Sequence, residues 1–134
     1  MNPPLERPFV LLQKAKDDCY VLNRLSGDEQ APAWAVGFHA QQAVEKSLKA
    51  VLDFHGINFP FTHDISRLDE MLENANLPHP PDAPQLEMLT PYGVSLKYEY
   101  EPVGISYVIN RSKITQLALQ TVAWAESILT EKHT

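Results

Sequence analysis

The stretch FHAQQAVEKSLKAVL, residues 38–52, reads as a strong helix, and it dictates much of what surrounds it. Successive helical residues turn by about 100°. On that wheel Ala40, Ala43, Val44, Leu48, Ala50, Val51, Leu52 and Phe54 share one broad arc, while His39, Gln42, Lys46, Lys49 and Asp53 share the opposite one. An apolar arc this wide touches more than one neighbour. Gln41 falls between Leu48 and Leu52, with Glu45 just beyond. An amide or carboxylate buried without partners costs several kcal/mol, so the wheel predicts that both are buried and hydrogen-bonded.

The remaining punctuation is helical too. Residues 6–25 form a first helix with Phe9, Leu12, Ala15, Cys19 and Leu22 inward and Lys14, Lys16, Asp17 and Asp18 turned mostly away. Ser26-Gly27-Asp28 ends it, and Pro32 opens a second helix over 33–55 with Gly56 as its C-cap. Residues 57–60 read as an extended connector. Thr62 or Asp64 caps a third helix whose inner face is Ile65, Leu68, Met71 and Leu72. The proline-rich stretch 76–84 is a loop. A fourth helix is expected over 84–98, interrupted by Pro91 and Gly93. The β-branched and aromatic run EPVGISYVI, residues 101–109, is expected to be extended. Asn110 caps a fifth helix with Ile114, Leu117, Thr121, Trp124, Ala125 and Ile128 as its buried stripe. The fold class is therefore all-α, a bundle of four to five helices in one domain spanning 1–134.

Composition narrows the function classes. A net charge of -6 argues against broad, sequence-blind binding to nucleic acid or anionic membranes. Cys19 is the only cysteine, so no intrachain disulfide forms. Residues 1–8 do not resemble a signal peptide, and no apolar run reaches membrane-spanning length, so a cytoplasmic location without membrane contact is expected. No cofactor is expected, because Gly-rich phosphate loops and nucleophile elbows are missing. No metal is expected either: His55 and His63 lack ligand spacing, and there is no Cys cluster.

The segment FHAQQAVEKSLKAVLDFHGINFPFTHDISRLDEML, followed at a distance by LTPYGVSLKYE, resembles the HEPN domain family. That resemblance implies an up-and-down bundle similar to the substrate-binding subunit of minimal nucleotidyltransferases, and it implies a homodimer. It further implies a minimal nucleotidyltransferase as partner, sometimes as a toxin and antitoxin pair, and a nucleotide or RNA as ligand. Many relatives are metal-independent endoribonucleases that carry an Arg followed after four to six residues by a His. Arg7, Arg24, Arg67 and Arg111 have no His at that distance, and Lys97 stands where relatives with LRY carry Arg. General acid-base cleavage without a placed imidazole loses hundreds- to thousands-fold in rate. No residue is therefore assigned a catalytic role.

Nine residues are ligand-binding candidates. Gln41 and Glu45 either form a structural network, with a backbone or Lys partner from the first or fourth helix, or read a polar ligand at a cleft or dimer contact. Lys46 and Lys49, on the arc expected to be exposed, either are solvated or grip phosphate. Asp64 caps the third helix, and His63 packs beside it or meets a ligand. Lys97 and Tyr98 sit near the expected end of the fourth helix, where Lys97 can contact phosphate but cannot reproduce a bidentate guanidinium. With Arg111 they make up the alternative reading, a divergent endoribonuclease toxin acting across a dimer cleft.

Overall fold

Helix ends in this chain are fixed by local chemistry. The computed structural model describes residues 3–93 and 110–131. α1 spans Pro3–Ser26, α2 Ala33–Phe54, α3 Ile65–Asn74, α4 Ala83–Leu86 and α5 Arg111–Thr130, with a 3₁₀ helix at Glu87–Tyr92 between the last two. Asp64 caps α3 by accepting from the Ser66 and Arg67 amides, and Asn110 caps α5 by accepting from the Lys113 amide. α2 closes with Gly56 at φ +74° and the Ile57 amide bonded back to the Leu52 carbonyl at 2.9 Å. α3 closes the same way with Asn76 at φ 59° and the Leu77 amide on the Leu72 carbonyl at 2.9 Å. Gly and Asn are the residues that accept this left-handed turn at least cost.

α2 packs against α1, α5, α3 and the 3₁₀ helix, and so forms the centre of the bundle. Arg7 near the start of α1 meets Asp53 near the end of α2, so these two helices are antiparallel. Arg111 at the start of α5 meets the turn after α1, and Lys16 pairs with Glu126 further along, so α5 is antiparallel to α1 as well. Leu22, Leu48, Leu52, Leu68, Leu72, Leu89 and Leu117 are completely buried where these elements meet. Every regular element among the described residues is helical, as the punctuation predicts. None of these helices is long and apolar enough to cross a membrane.

Several expectations need correction. The fourth helix is interrupted, as Pro91 and Gly93 predict, but the break is neither a kink nor a late start: one α turn passes at Leu86 into the 3₁₀ stretch that contains Pro91, because a proline removes one backbone donor and clashes with the preceding turn. Residues 94–98 of that expected helix, and the extended run 101–109, lie outside the described residues. Phe9 is 44% exposed rather than inward, resting edge-on against Phe54. Asp18, Lys49 and Asp53 are buried rather than solvated, since both arcs of α2 are covered. In α5, Ala118, Val122 and Leu129 join the buried stripe while Trp124 and Ile128 pack only at its edge. Cys19 is buried beside Asp18, and burial first, with that negative charge second, pushes its thiol up to about 11.

The tightest approach lies between α2 and the 3₁₀ helix. A Cβ on Gly37 would stand 2.3 Å from the Tyr92 ring, and one on Gly93 2.9 Å from the Gln41 amide. Ala within a helix normally gains about 1 kcal/mol over Gly. Overpacking of a closed contact costs about 1 to 3 kcal/mol. Gly37→Ala is therefore expected to destabilise the fold in urea melts, whereas Gly27→Ala, with nothing within 4 Å of its Cβ, is expected not to.

The loop after α3 is tied back by His79, whose Nδ1 lies 2.7 Å from an Asp69 carboxylate oxygen. The Asp69 hydrogen bond and then its charge raise the His79 pKa, desolvation opposes them, and the charge of Glu73 adds the least. A raised folded-state value gives stability that is complete below the ordinary histidine range and is lost as pH rises through the folded value. NMR titration is expected to place the His79 midpoint above that of an unstructured histidine, and Asp69→Asn is expected to bring it back down.

Candidate functional site

Residues 41, 45 and 49 are spaced one turn apart, which sets their side chains in a row along α2. Glu45 is 4% exposed and uses both carboxylate oxygens. Oε1 accepts from Gln41 Nε2 at 2.8 Å and lies 2.8 Å from His63 Nδ1, while Oε2 accepts from Lys49 Nζ at 2.9 Å. Gln41, fully buried, also donates to the His63 carbonyl at 3.2 Å and accepts from Gln42 Nε2 at 2.7 Å. The predicted burial and bonding of Gln41 and Glu45 are both present. Their partners, however, come from α2 itself and from the loop before α3, not from the first or fourth helix.

Lys49 continues this cluster toward the surface, with Nζ 5.5 Å from the centre of the Phe59 ring and 6.0 Å from that of Phe61. Phe61 is 93% exposed and meets the His63 ring edge-on. Beyond it, Arg7, Leu11, Lys49, Asn58 and Phe59 line a cleft of about 340 Å³. The Arg7 guanidinium is held there by Asp53 through Nε at 2.7 Å and Nη2 at 2.6 Å, contacts that raise its pKa by hydrogen bonding first and charge second.

The other candidates are dispersed. Lys46 is only partly exposed, because its Nζ donates to Asp18 at 2.7 Å while His39 Nδ1 lies 3.1 Å from the second oxygen of the same carboxylate. Asp64 serves as the α3 cap. Arg111 donates from Nη1 to the Asp28 carbonyl at 3.1 Å and from Nη2 to the Ala31 carbonyl at 2.7 Å, which clamps the turn between α1 and α2. Lys97 and Tyr98 lie outside the described residues. Among the described residues no group of three or more His, Cys, Asp or Glu side chains is arranged to hold a metal ion.

A second cleft, about 530 Å³, lies along the first half of α5 and the end of α1, lined by Ser26, Ser112, Thr115, Gln116, Leu119 and Gln120. None of these residues stands out by type, and sequence reasoning passed over them. One signal was present: Gln116 falls five positions after Arg111. The Arg7–Asp53 and Asp18–Lys46 pairs were also missed, although opposite charges on the facing sides of two antiparallel helices were there to be matched.

The Glu45 cluster has the chemistry of a locked network, because every polar atom of its carboxylate has a donor beside it. Glu45→Ala would leave Lys49 and Gln41 without their partner in a nearly closed site. A loss of about 1 to 3 kcal/mol is expected in denaturant melts. An unchanged midpoint would mean that the cluster is solvated and carries no structural weight.

Comparison with known proteins brings one match. The HEPN domain family model matches residues 10–131 of this chain. No curated protein and no solved structure matches it.

Proposed function

This chain belongs to the HEPN domain family, whose role is nucleotide- or RNA-related in general, and from that premise we propose that it works by binding rather than by cleavage. In this reading it is a homodimeric binding or regulatory subunit for a nucleotide, RNA or a partner minimal nucleotidyltransferase, and one that can belong to a toxin and antitoxin pair. The observation that carries the reading is Gln116. It occupies the first of the positions after Arg111 at which a ribonuclease of this family would need its histidine, and it faces a cleft. A glutamine amide hydrogen-bonds but does not exchange protons near neutral pH, so it can hold a ligand without serving as acid or base.

The arginine is occupied as well. Arg111 spends two guanidinium nitrogens on backbone carbonyls, an arrangement that suits a clamp. Deprotonating a 2′-hydroxyl and protonating the leaving oxygen both call for groups that titrate near neutrality. Arginine and lysine side chains as types titrate far above neutrality, so neither residue type supplies that exchange.

The test is incubation of the purified protein with total RNA under metal-free conditions, beside Lys97→Ala, Tyr98→Phe and Arg111→Ala. No cleavage above background is expected. Robust cleavage that disappears in any of these variants overturns the binding reading and promotes the toxin alternative.

A further inference from the structure

An ammonium group carries three protons and no lone pair, so a lysine taken out of water needs several acceptors around it. Lys49 is 9% exposed, and among the described residues its Nζ has one acceptor, Glu45 Oε2 at 2.9 Å. The buried carboxylates are better served. Glu45 also has Gln41 Nε2 and His63 Nδ1 beside it, and Asp53 receives two guanidinium nitrogens. The Lys49 nitrogen instead faces rings, with the centre of Phe59 at 5.5 Å and that of Phe61 at 6.0 Å. A ring face attracts a cation but does not replace a hydrogen-bond acceptor.

Lys49 shares the cleft of about 340 Å³ with Arg7, Leu11, Asn58 and Phe59. Arg7 is likewise paired without being saturated. Asp53 takes its Nε and Nη2, and Nη1 donates to no described residue. Asp53 stands one helical turn after Lys49, which sets the guanidinium beside the ammonium. The cleft thus joins spare donors from two cations to an exposed amide at Asn58 and an apolar wall of Leu11 and Phe59.

Charge and shape select the occupant. Arg7 and Lys49 each already face one carboxylate, so the two positive charges are balanced before anything enters. A phosphate dianion would bring two more negative charges close to Asp53 and Glu45, and the guanidinium edge suited to gripping it is held by Asp53. A single carboxylate adds one charge and two acceptor oxygens, which the spare Nζ and Nη1 protons can meet with charge-assisted bonds. The wall beside them calls for an apolar body, and the volume is at the small end of the roughly 300 to 1,000 Å³ of ligand sites.

We propose that the cleft between Arg7 and Lys49 binds a monocarboxylate bearing an aromatic or branched apolar group, with its carboxylate on Lys49 Nζ and Arg7 Nη1 and its apolar body on Leu11 and Phe59. The proposal goes beyond the binding reading above and does not rest on it. The acid can be a free molecule or the C-terminal residue of a peptide, since the recognised chemistry is the same.

The probes are phenylacetate, 3-methylbutanoate, phenylacetamide, phenyl phosphate and a Gly-Gly-Gly-Phe tetrapeptide with a free or an amidated C-terminus, titrated into the protein and followed by calorimetry and amide NMR. At least one carboxylate probe is expected to bind with a Kd of about 1 mM or tighter and to shift the Lys49, Asn58 and Phe59 signals. Phenylacetamide and the amidated peptide are expected to bind about tenfold more weakly or worse, and phenyl phosphate no tighter than phenylacetate. Lys49→Gln is expected to weaken binding by about tenfold or more. Because that change also takes a partner from Glu45, Asn58→Asp is the second variant: at an exposed position it sets a rival negative charge at the cleft, and it is expected to weaken binding as much without changing the melt. A free peptide that binds about tenfold tighter than phenylacetate identifies a peptide terminus as the source; equal or weaker binding identifies the free acid.

The proposal is overturned if no carboxylate binds at that strength, if the amides bind as well as the acids, if Asn58→Asp or folded Lys49→Gln binds unchanged, or if phenyl phosphate binds about tenfold tighter than phenylacetate. Any of these results leaves the binding-subunit reading standing, and cleavage of RNA sinks that reading whatever this cleft binds.

Discussion

Fourteen of the 22 residues of α2 are buried, Glu45, Lys49 and Asp53 among them, and the elements around this helix are arranged to satisfy it. Enclosed by α1, α3, α5 and the 3₁₀ helix, α2 has no fully solvated side on which to leave a charge. Each charged residue needs a counter-charge brought to it, and the source differs with height along the helix. Asp53 takes Arg7 from α1, Lys46 takes Asp18 from α1, and Glu45 takes Lys49 from α2, with His63 Nδ1 of the following loop within hydrogen-bond distance. Buried ion pairs add little net stability over well-packed apolar side chains, because desolvation offsets most of their attraction. Their effect here is on arrangement. Two latches between α1 and α2, at separate points, oppose both sliding and rotation of one helix on the other.

The same enclosure explains the two close glycines. The 3₁₀ helix can reach the Gln41 amide only if Gly93 offers no side chain toward it, and Tyr92 can lie flat on α2 only over Gly37. The Gln41 end of the Glu45 cluster thus lies directly against Gly93. Gln41, fully buried, is held between that contact and its partners, so its orientation is set by packing as well as by hydrogen bonds.

Legibility in the sequence followed the range of each interaction. Asp64, Asn110 and Gly56 were readable because caps depend on residues within one turn. Gln41 and Glu45 were readable as buried because a wheel needs only the helix itself. Lys49 and Asp53 were misplaced by that same wheel, which sees polarity but not the neighbours that cover a polar arc. His63 as the partner of Glu45 lies 18 positions away across a connector, beyond any periodicity. The 3₁₀ stretch was visible only as a broken helix, since Pro91 and Gly93 reveal an interruption but not the geometry that replaces it.

Charge finally bears on how such a protein can hold a nucleic-acid component. The chain is acidic overall, at -6, and many of its cations are already committed: Arg7, Lys16, Lys46, Lys49 and Arg67 to carboxylates, and Arg111 to carbonyls. Phosphate contacts draw their strength from released counterions and from cations free to replace them. The six cations so engaged gain less from that source than free ones would. On the binding reading proposed above, affinity for a nucleotide or RNA would therefore draw on neutral hydrogen bonding and apolar contact with bases, which vary little with salt.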